Sequence, residues 1–148
     1  MTLYLDASAL VKYYVAEAGS QDVAQWILDY PQAATNLISR AEVAAAVTRT
    51  IKLSVFDREA AFQTLKAFRQ DWMDYVRLPI TEAIVTRADG LAWELGLRGY
   101  EAVHLASAQV WQETIRESVA LATFDDELWR AGNLVGLEVL PADIANWR

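Results

Sequence analysis

Short strand-prone runs alternate with longer helix-prone stretches along this chain, and that alternation constrains its fold more than any other feature. Thr2–Asp6 (TLYLD), Ala33–Asn36 (AATN), Val76–Leu78 (VRL), Val119–Thr123 (VALAT) and Leu137–Leu140 (LEVL) are brief, apolar or β-branched, and bounded by turn or cap residues. The stretches between them repeat apolar residues at three- and four-residue steps. Asp57–Tyr75 carries Ala61, Leu65, Phe68 and Trp72 in this way, and Thr81–Leu95 carries Ile84, Val85, Ala88, Leu91, Ala92 and Leu95. Ser8–Glu17, Gln21–Tyr30, Arg40–Lys52, Glu101–Arg116 and Asp126–Ala131 read as further helices. Strands joined by helices, rather than by tight hairpins, predict the α/β class. The expected architecture is a short, mainly parallel central sheet flanked by helices on both faces, with right-handed crossovers.

The chain has 148 residues and is 54% hydrophobic, enough to build one core, so residues 1–148 are expected to form a single domain. Three Pro and six Gly are too few for long linkers. With no cysteine, disulfides and thiolate metal sites are excluded. No apolar run approaches the roughly 20 residues that span a bilayer, and the N-terminus lacks a basic stretch before its apolar run. A cytoplasmic location without membrane contact is therefore expected. The net charge of −7 disfavours broad, non-specific attraction to nucleic acid.

In a parallel sheet of this type, ligands bind beyond the carboxyl ends of the strands. Asp6 and Asp125 fall there, each just after an apolar strand, while Glu42 and Glu101 lie on helices. Each acid also has a structural explanation. Asp6, with Ser8, can cap the first helix, Ser39-x-x-Glu42 matches a capping box, Glu101 opens a helix, and Asp125 can cap the helix starting at Asp126. Capping does not require the acids to meet. If they meet, two like charges about 4 Å apart repel by roughly 4 kcal/mol at an effective dielectric near 20. A divalent cation relieves that repulsion, and an all-oxygen donor set suits Mg²⁺ or Mn²⁺.

Other chemistries are pruned by absences. Glu101-x-x-His104 is half of a di-iron motif that needs two such pairs, and the chain has one His, so His104 reads as a packed helix residue. There is no GxxxxGK[ST] loop, no GxGxxG and no G-x-S-x-G elbow. A phosphatase with Asp6 as nucleophile would want a second acid where Ser8 stands.

The segments LYLDASALVKYY, TNLISRAEVAAAVTR, LGLRGYEAVHLASAQVW and VALATFDDELWRAGNLVGLEVLP, in that order, resemble the conserved segments of PIN-domain proteins of the VapC toxin type. The resemblance implies a metal-dependent endoribonuclease with Asp6, Glu42, Glu101 and Asp125 as catalytic acids. Asp6, Glu101 and Asp125 would hold Mg²⁺ or Mn²⁺, and Ser8, Thr123 and Asn36 would support them. It also implies an RNA substrate, a homodimer and a cognate VapB-like antitoxin. Two positions depart from the pattern: Glu101 stands where the family has Asp, and Asn36 where many members have Ser or Thr. Glu101 opens an alternative, a catalytically weak or inactive PIN-like binding module. Lys12, Arg40, Lys52, Arg98 and Arg130 are the candidate basic rim for RNA, and Trp26, Tyr30, Trp111 and Trp129 candidate aromatic contacts for a partner.

Overall fold

The computed structural model describes residues 1–147. Its elements run β1 (Thr2–Leu5), α1 (Ala7–Tyr14), α2 (Ser20–Asp29), β2 (Ala33–Asn36), α3 (Ser39–Lys52), α4 (Arg58–Asp71), β3 (Val76–Leu78), α5 (Glu82–Leu95), α6 (Gly99–Ile115), β4 (Val119–Ala122), α7 (Asp126–Leu134) and β5 (Glu138–Leu140). The five strands form one sheet in the order β3-β2-β1-β4-β5, and every pairing is parallel. The expected α/β architecture is thus observed, with a sheet that is wholly rather than mainly parallel.

Strand periodicity sorts the core into two layers. Leu3, Leu5, Ala120 and Ala122 face one side and pack with Ala9, Leu10, Val23, Val43, Val47 and Phe68 from α1 to α4. Tyr4, Ala34, Val119 and Leu121 face the other and pack with Ile84, Ala88, Leu91, Leu105, Ala106 and Leu128 from α5 to α7. Residues 2–5 and 119–122 are buried throughout, because helices cover both faces of the two central strands.

Several boundaries differ from the periodicity. The run Asp57–Tyr75 is not one helix: α4 ends at Asp71 and a 3-10 turn spans Trp72–Asp74. The tighter turn keeps Trp72 and Tyr75 buried on the face begun by Phe68. The first helix stops at Tyr14 instead of Glu17, with Val15 already extended. Ser39 is a helical residue preceded by the N-cap Ile38, and its hydroxyl bonds Thr35 Oγ1 at 2.7 Å. The Ser39–Glu42 capping box read from the sequence does not form, which leaves the Glu42 carboxylate free for another partner.

Candidate active site

The chain leaves β1 outward through β2 and β3, then returns to place β4 on the other flank of β1. This reversal puts a topological switch point between β1 and β4, where an open α/β sheet forms its crevice. Asp6 follows β1 and Asp125 lies just past β4.

Asp6 is 4% exposed and uses both oxygens. Oδ1 accepts the Ala9 N–H at 2.9 Å and the Ser8 hydroxyl at 2.7 Å, and Oδ2 accepts the Thr123 hydroxyl at 2.7 Å. Thr123 Oγ1 in turn accepts the Asp125 N–H at 3.1 Å, and Ser8 Oγ accepts the Phe124 N–H at 2.9 Å. Ser8 and Thr123 therefore tie together the ends of the two central strands. Asp125 Oδ1 caps α7 by accepting the Leu128 N–H at 3.0 Å. Capping and convergence, rivals in the sequence, coexist here: the helix starts point these carboxylates into one crevice.

Burial pushes the Asp6 carboxyl above its ordinary value, against hydrogen bonds from Ser8, Ala9 and Thr123 that favour the anion. Burial also raises Asp125. The Leu128 N–H lowers it, and the charges of Glu101 and Asp6 raise it again. The mutual repulsion expected of converging acids is present.

Helix α6 brings the third acid. Near its middle Ser107 meets Asn36 at the end of β2, and further along Gln112 accepts the Val119 N–H that opens β4, so its first turn lies at the strands' carboxyl edge. Glu101, in that first turn, is 1% exposed. Its Oε2 accepts the Arg98 backbone N–H at 2.8 Å, and its Oε1 accepts Arg98 Nε at 3.0 Å and Nη2 at 2.8 Å. The same Nη2 lies 3.7 Å from Asp125 Oδ2.

Glu42 joins through a buried relay that the sequence did not reveal. His104 Nε2 stands 2.7 Å from Glu42 Oε1, and His104 Nδ1 stands 2.8 Å from the Tyr4 hydroxyl. The Glu42 carboxylate can only accept, so the hydrogen of that bond sits on Nε2, and the neutral ring accepts the Tyr4 hydroxyl, kept protonated by burial, at Nδ1. His104 is the packed helix residue expected, and its packing also orients an acid. Asn36 supports the same region: its amide donates to Ser107 Oγ at 2.9 Å and its carbonyl accepts the Ile38 N–H at 2.9 Å, fixing the start of α3.

Two of the four carboxylates, Glu101 and Asp125, thus meet at the Arg98 guanidinium, Asp6 is tied to Asp125 through Thr123, and Glu42 is held by His104. The donors are all oxygen; burial raises both Asp6 and Asp125, and at Asp125 the charges of Glu101 and Asp6 add to the rise. That chemistry fits a hard divalent cation. Among the described residues no three His, Asp or Glu side chains stand ready-spaced around one ion, Glu101 being turned to Arg98.

Beside the acids runs a groove of about 570 Å³ lined by Ser8, Val11, Lys12, Glu42, Arg49, Tyr100 and Phe124, among others. Of the basic candidates, Lys12 lines it, though its ammonium is already held by Glu17 Oε1 at 3.4 Å and the Ala18 carbonyl at 2.9 Å, 4.7 Å from the Phe124 ring centre. Gly19 makes this seat possible: φ is +95°, and a Cβ there would lie 3.0 Å from Lys12 Cδ and 3.1 Å from the Phe124 ring. Arg98 sits among the acids. Arg40 lies over Trp72 beside Arg69, in a different depression. Lys52 ends α3, ten residues or about 15 Å along the helix from Glu42, and Arg130 pairs with Glu127 at 2.9 Å. Arg49 and Tyr100, both exposed on the groove, lie inside the family-like segments but carry no acid; for Arg49 the available signal was its helical phase, two turns past Glu42, and for Tyr100 its position next to Glu101. Trp26, Tyr30, Trp111 and Trp129 are all partly buried, whereas Trp93 is 88% exposed.

A sequence model of the family described as PIN domain matches residues 3–134. The chain is 29% identical over 147 residues to Ribonuclease VapC45 of Mycobacterium tuberculosis, covering 96% of each chain. Its fold is similar to that of PAE2754 from Pyrobaculum aerophilum (TM-score 0.65, 21% identity, 99% of this chain and 88% of that one). It is also similar to a chain of a toxin-antitoxin complex from Klebsiella pneumoniae (TM-score 0.61, 20% identity, 83% and 86%).

Proposed function

The chain belongs to the PIN-domain family, and on that premise we propose that it is a single-domain, metal-dependent endoribonuclease, the toxin of a toxin–antitoxin pair. The observation that carries the reading is the gathering of Asp6, Asp125 and Glu101 at the carboxyl edge of β1 and β4, with Glu42 held by His104 on the adjoining groove. The similarity to a VapC ribonuclease supplies the substrate class.

Asp6, Glu101 and Asp125 would hold Mg²⁺ or Mn²⁺, with Glu42 beside them. When bound, the ion supplies Lewis-acid polarisation of the scissile phosphate and offsets its charge against the carboxylates. Glu42, held by His104 Nε2, accepts the proton of the attacking water. The water oxygen bonds to phosphorus, the P–O3′ bond breaks, the departing O3′ takes a proton from solvent, and the products carry 5′-phosphate and 3′-hydroxyl ends, with no part for the RNA 2′-hydroxyl. Ser8 and Thr123 keep the Asp6 carboxylate in one rotamer through the reaction. Lys12 and Arg49 flank the groove along which a single strand would pass, and a local cationic rim of this kind lets an acidic chain take RNA by shape rather than by bulk attraction.

Glu101 bears on the rival reading of an inactive binding module. Its carboxylate is buried and faces Asp125, which favours the enzyme. A VapB-like antitoxin, a homodimeric assembly and a cytoplasmic location complete the proposal by family membership. No helix among the described residues is long and apolar enough to cross a membrane.

The test is incubation of the purified chain with a panel of structured RNAs in Mg²⁺ or Mn²⁺, beside Asp6→Asn and an EDTA control. Cleavage by the parent chain alone supports the reading; equal cutting by Asp6→Asn rejects it.

A further inference from the structure

Arg98 stands where the chemistry calls for a cation. Its Nη2 lies 2.8 Å from Glu101 Oε1 and 3.7 Å from Asp125 Oδ2, and its Nε adds a second contact to the same Glu101 oxygen at 3.0 Å. Glu101 is 1% exposed while the Arg98 side chain is 66% exposed. A buried carboxylate needs a counter-charge, whereas an exposed guanidinium loses little on leaving. We propose that Arg98 is a movable internal counter-ion that holds Glu101 in the metal-free protein and is displaced from Glu101 Oε1 when a divalent cation binds.

The two carboxylate oxygens are held differently. Oε2 accepts the Arg98 backbone N–H at 2.8 Å, a contact that survives any movement of the side chain and keeps α6 capped. Only Oε1 is contested. The released guanidinium has a resting place on the Tyr100 ring, whose centre is 5.2 Å from Arg98 Cζ in the present arrangement. Glutamate makes the exchange possible: an aspartate here would be shorter by one methylene, about 1.5 Å, and would withdraw from the guanidinium fork. The proposal rests on the metal-dependent reading above, and it adds that metal affinity is set by competition with a side chain of the same molecule.

The experiment is direct titration of the purified chain with Mn²⁺, free ion being read by electron paramagnetic resonance, for the parent, Arg98→Gln and Arg98→Lys. Because the cap is a backbone contact, both variants are expected to keep their fold, and the lysine variant preserves charge without the two-pronged grip. Arg98→Gln is expected to bind Mn²⁺ about five- to tenfold more tightly than the parent, with Arg98→Lys between them. Unchanged or weaker affinity in Arg98→Gln, with binding by the parent, overturns the counter-ion proposal alone. No Mn²⁺ binding by any of the three overturns the metal-dependent reading and this proposal with it.

Discussion

His104 Nε2 lies 2.7 Å from Glu42 Oε1, joining the α6 helix to the α3 helix across 62 residues of chain. The contact turns a buried imidazole into the element that fixes an acidic side chain at the edge of the crevice. Groups one shell removed from an active carboxylate commonly matter ten- to hundredfold. His104→Ala should therefore lower kcat by about ten- to hundredfold while leaving the Mn²⁺ dissociation constant nearly unchanged. His104→Gln, whose amide can still donate to Glu42, should recover part of the loss. Steady-state kinetics set beside Mn²⁺ titration separates this from simple unfolding; equal loss of metal binding would refute it.

Thr123 bridges the two aspartates, donating to Asp6 Oδ2 at 2.7 Å and accepting from Asp125 N at 3.1 Å. Thr123→Val keeps the shape and deletes both contacts, leaving a half-buried N–H and a buried carboxylate short of a partner. A stability loss of about 1–3 kcal/mol is expected, together with reduced cleavage, and Thr123→Ser should restore both. Denaturant melts of the three proteins check this.

The raised carboxyls of Asp6 and Asp125 carry a stability consequence with a definite sign. A carboxyl whose folded pKa exceeds its unfolded value binds its proton more tightly when folded. Its contribution is full below the unfolded value and is lost as pH rises through the folded one. Metal-free Asp6→Asn should therefore melt above the parent at pH 7, and the gap should narrow as pH falls through the raised value. A gap that widens on acidification would contradict the assignment.

The same strain predicts that divalent ions stabilise the parent. At a free Mn²⁺ concentration a hundredfold above Kd, mass action adds about 2.7 kcal/mol, visible as a higher Tm. Asp125→Asn should lose most of that gain. A melt insensitive to Mn²⁺ in the parent would count against a metal site.

Arg49 faces the groove beside Glu42 and is not a member of the acidic cluster. Arg49→Ala is expected to raise KM for RNA severalfold with kcat little changed, the signature of binding felt equally by substrate and transition state. A fall in kcat at constant KM would instead place Arg49 in the chemistry.

Local pattern carried most of the architecture. The strand at Ala33–Asn36, the strand at Val76–Leu78 and the helix to Leu95 follow from residue periodicity and caps, which act within a turn or two. Aspartates 6 and 125 were legible for the same reason: each ends an apolar strand and starts a helix, and helix starts select acids that can accept free N–H groups. What tertiary structure decided lies in contacts between distant segments. That Ser39 bonds Thr35 and frees Glu42, that Tyr4 aligns His104, and that Arg98 enters the acidic crevice as counter-charge all depend on β1, β2 and α6 meeting at one edge. Burial there removes water as the alternative partner, so each polar group must find another across the fold, and no local sequence rule encodes which one.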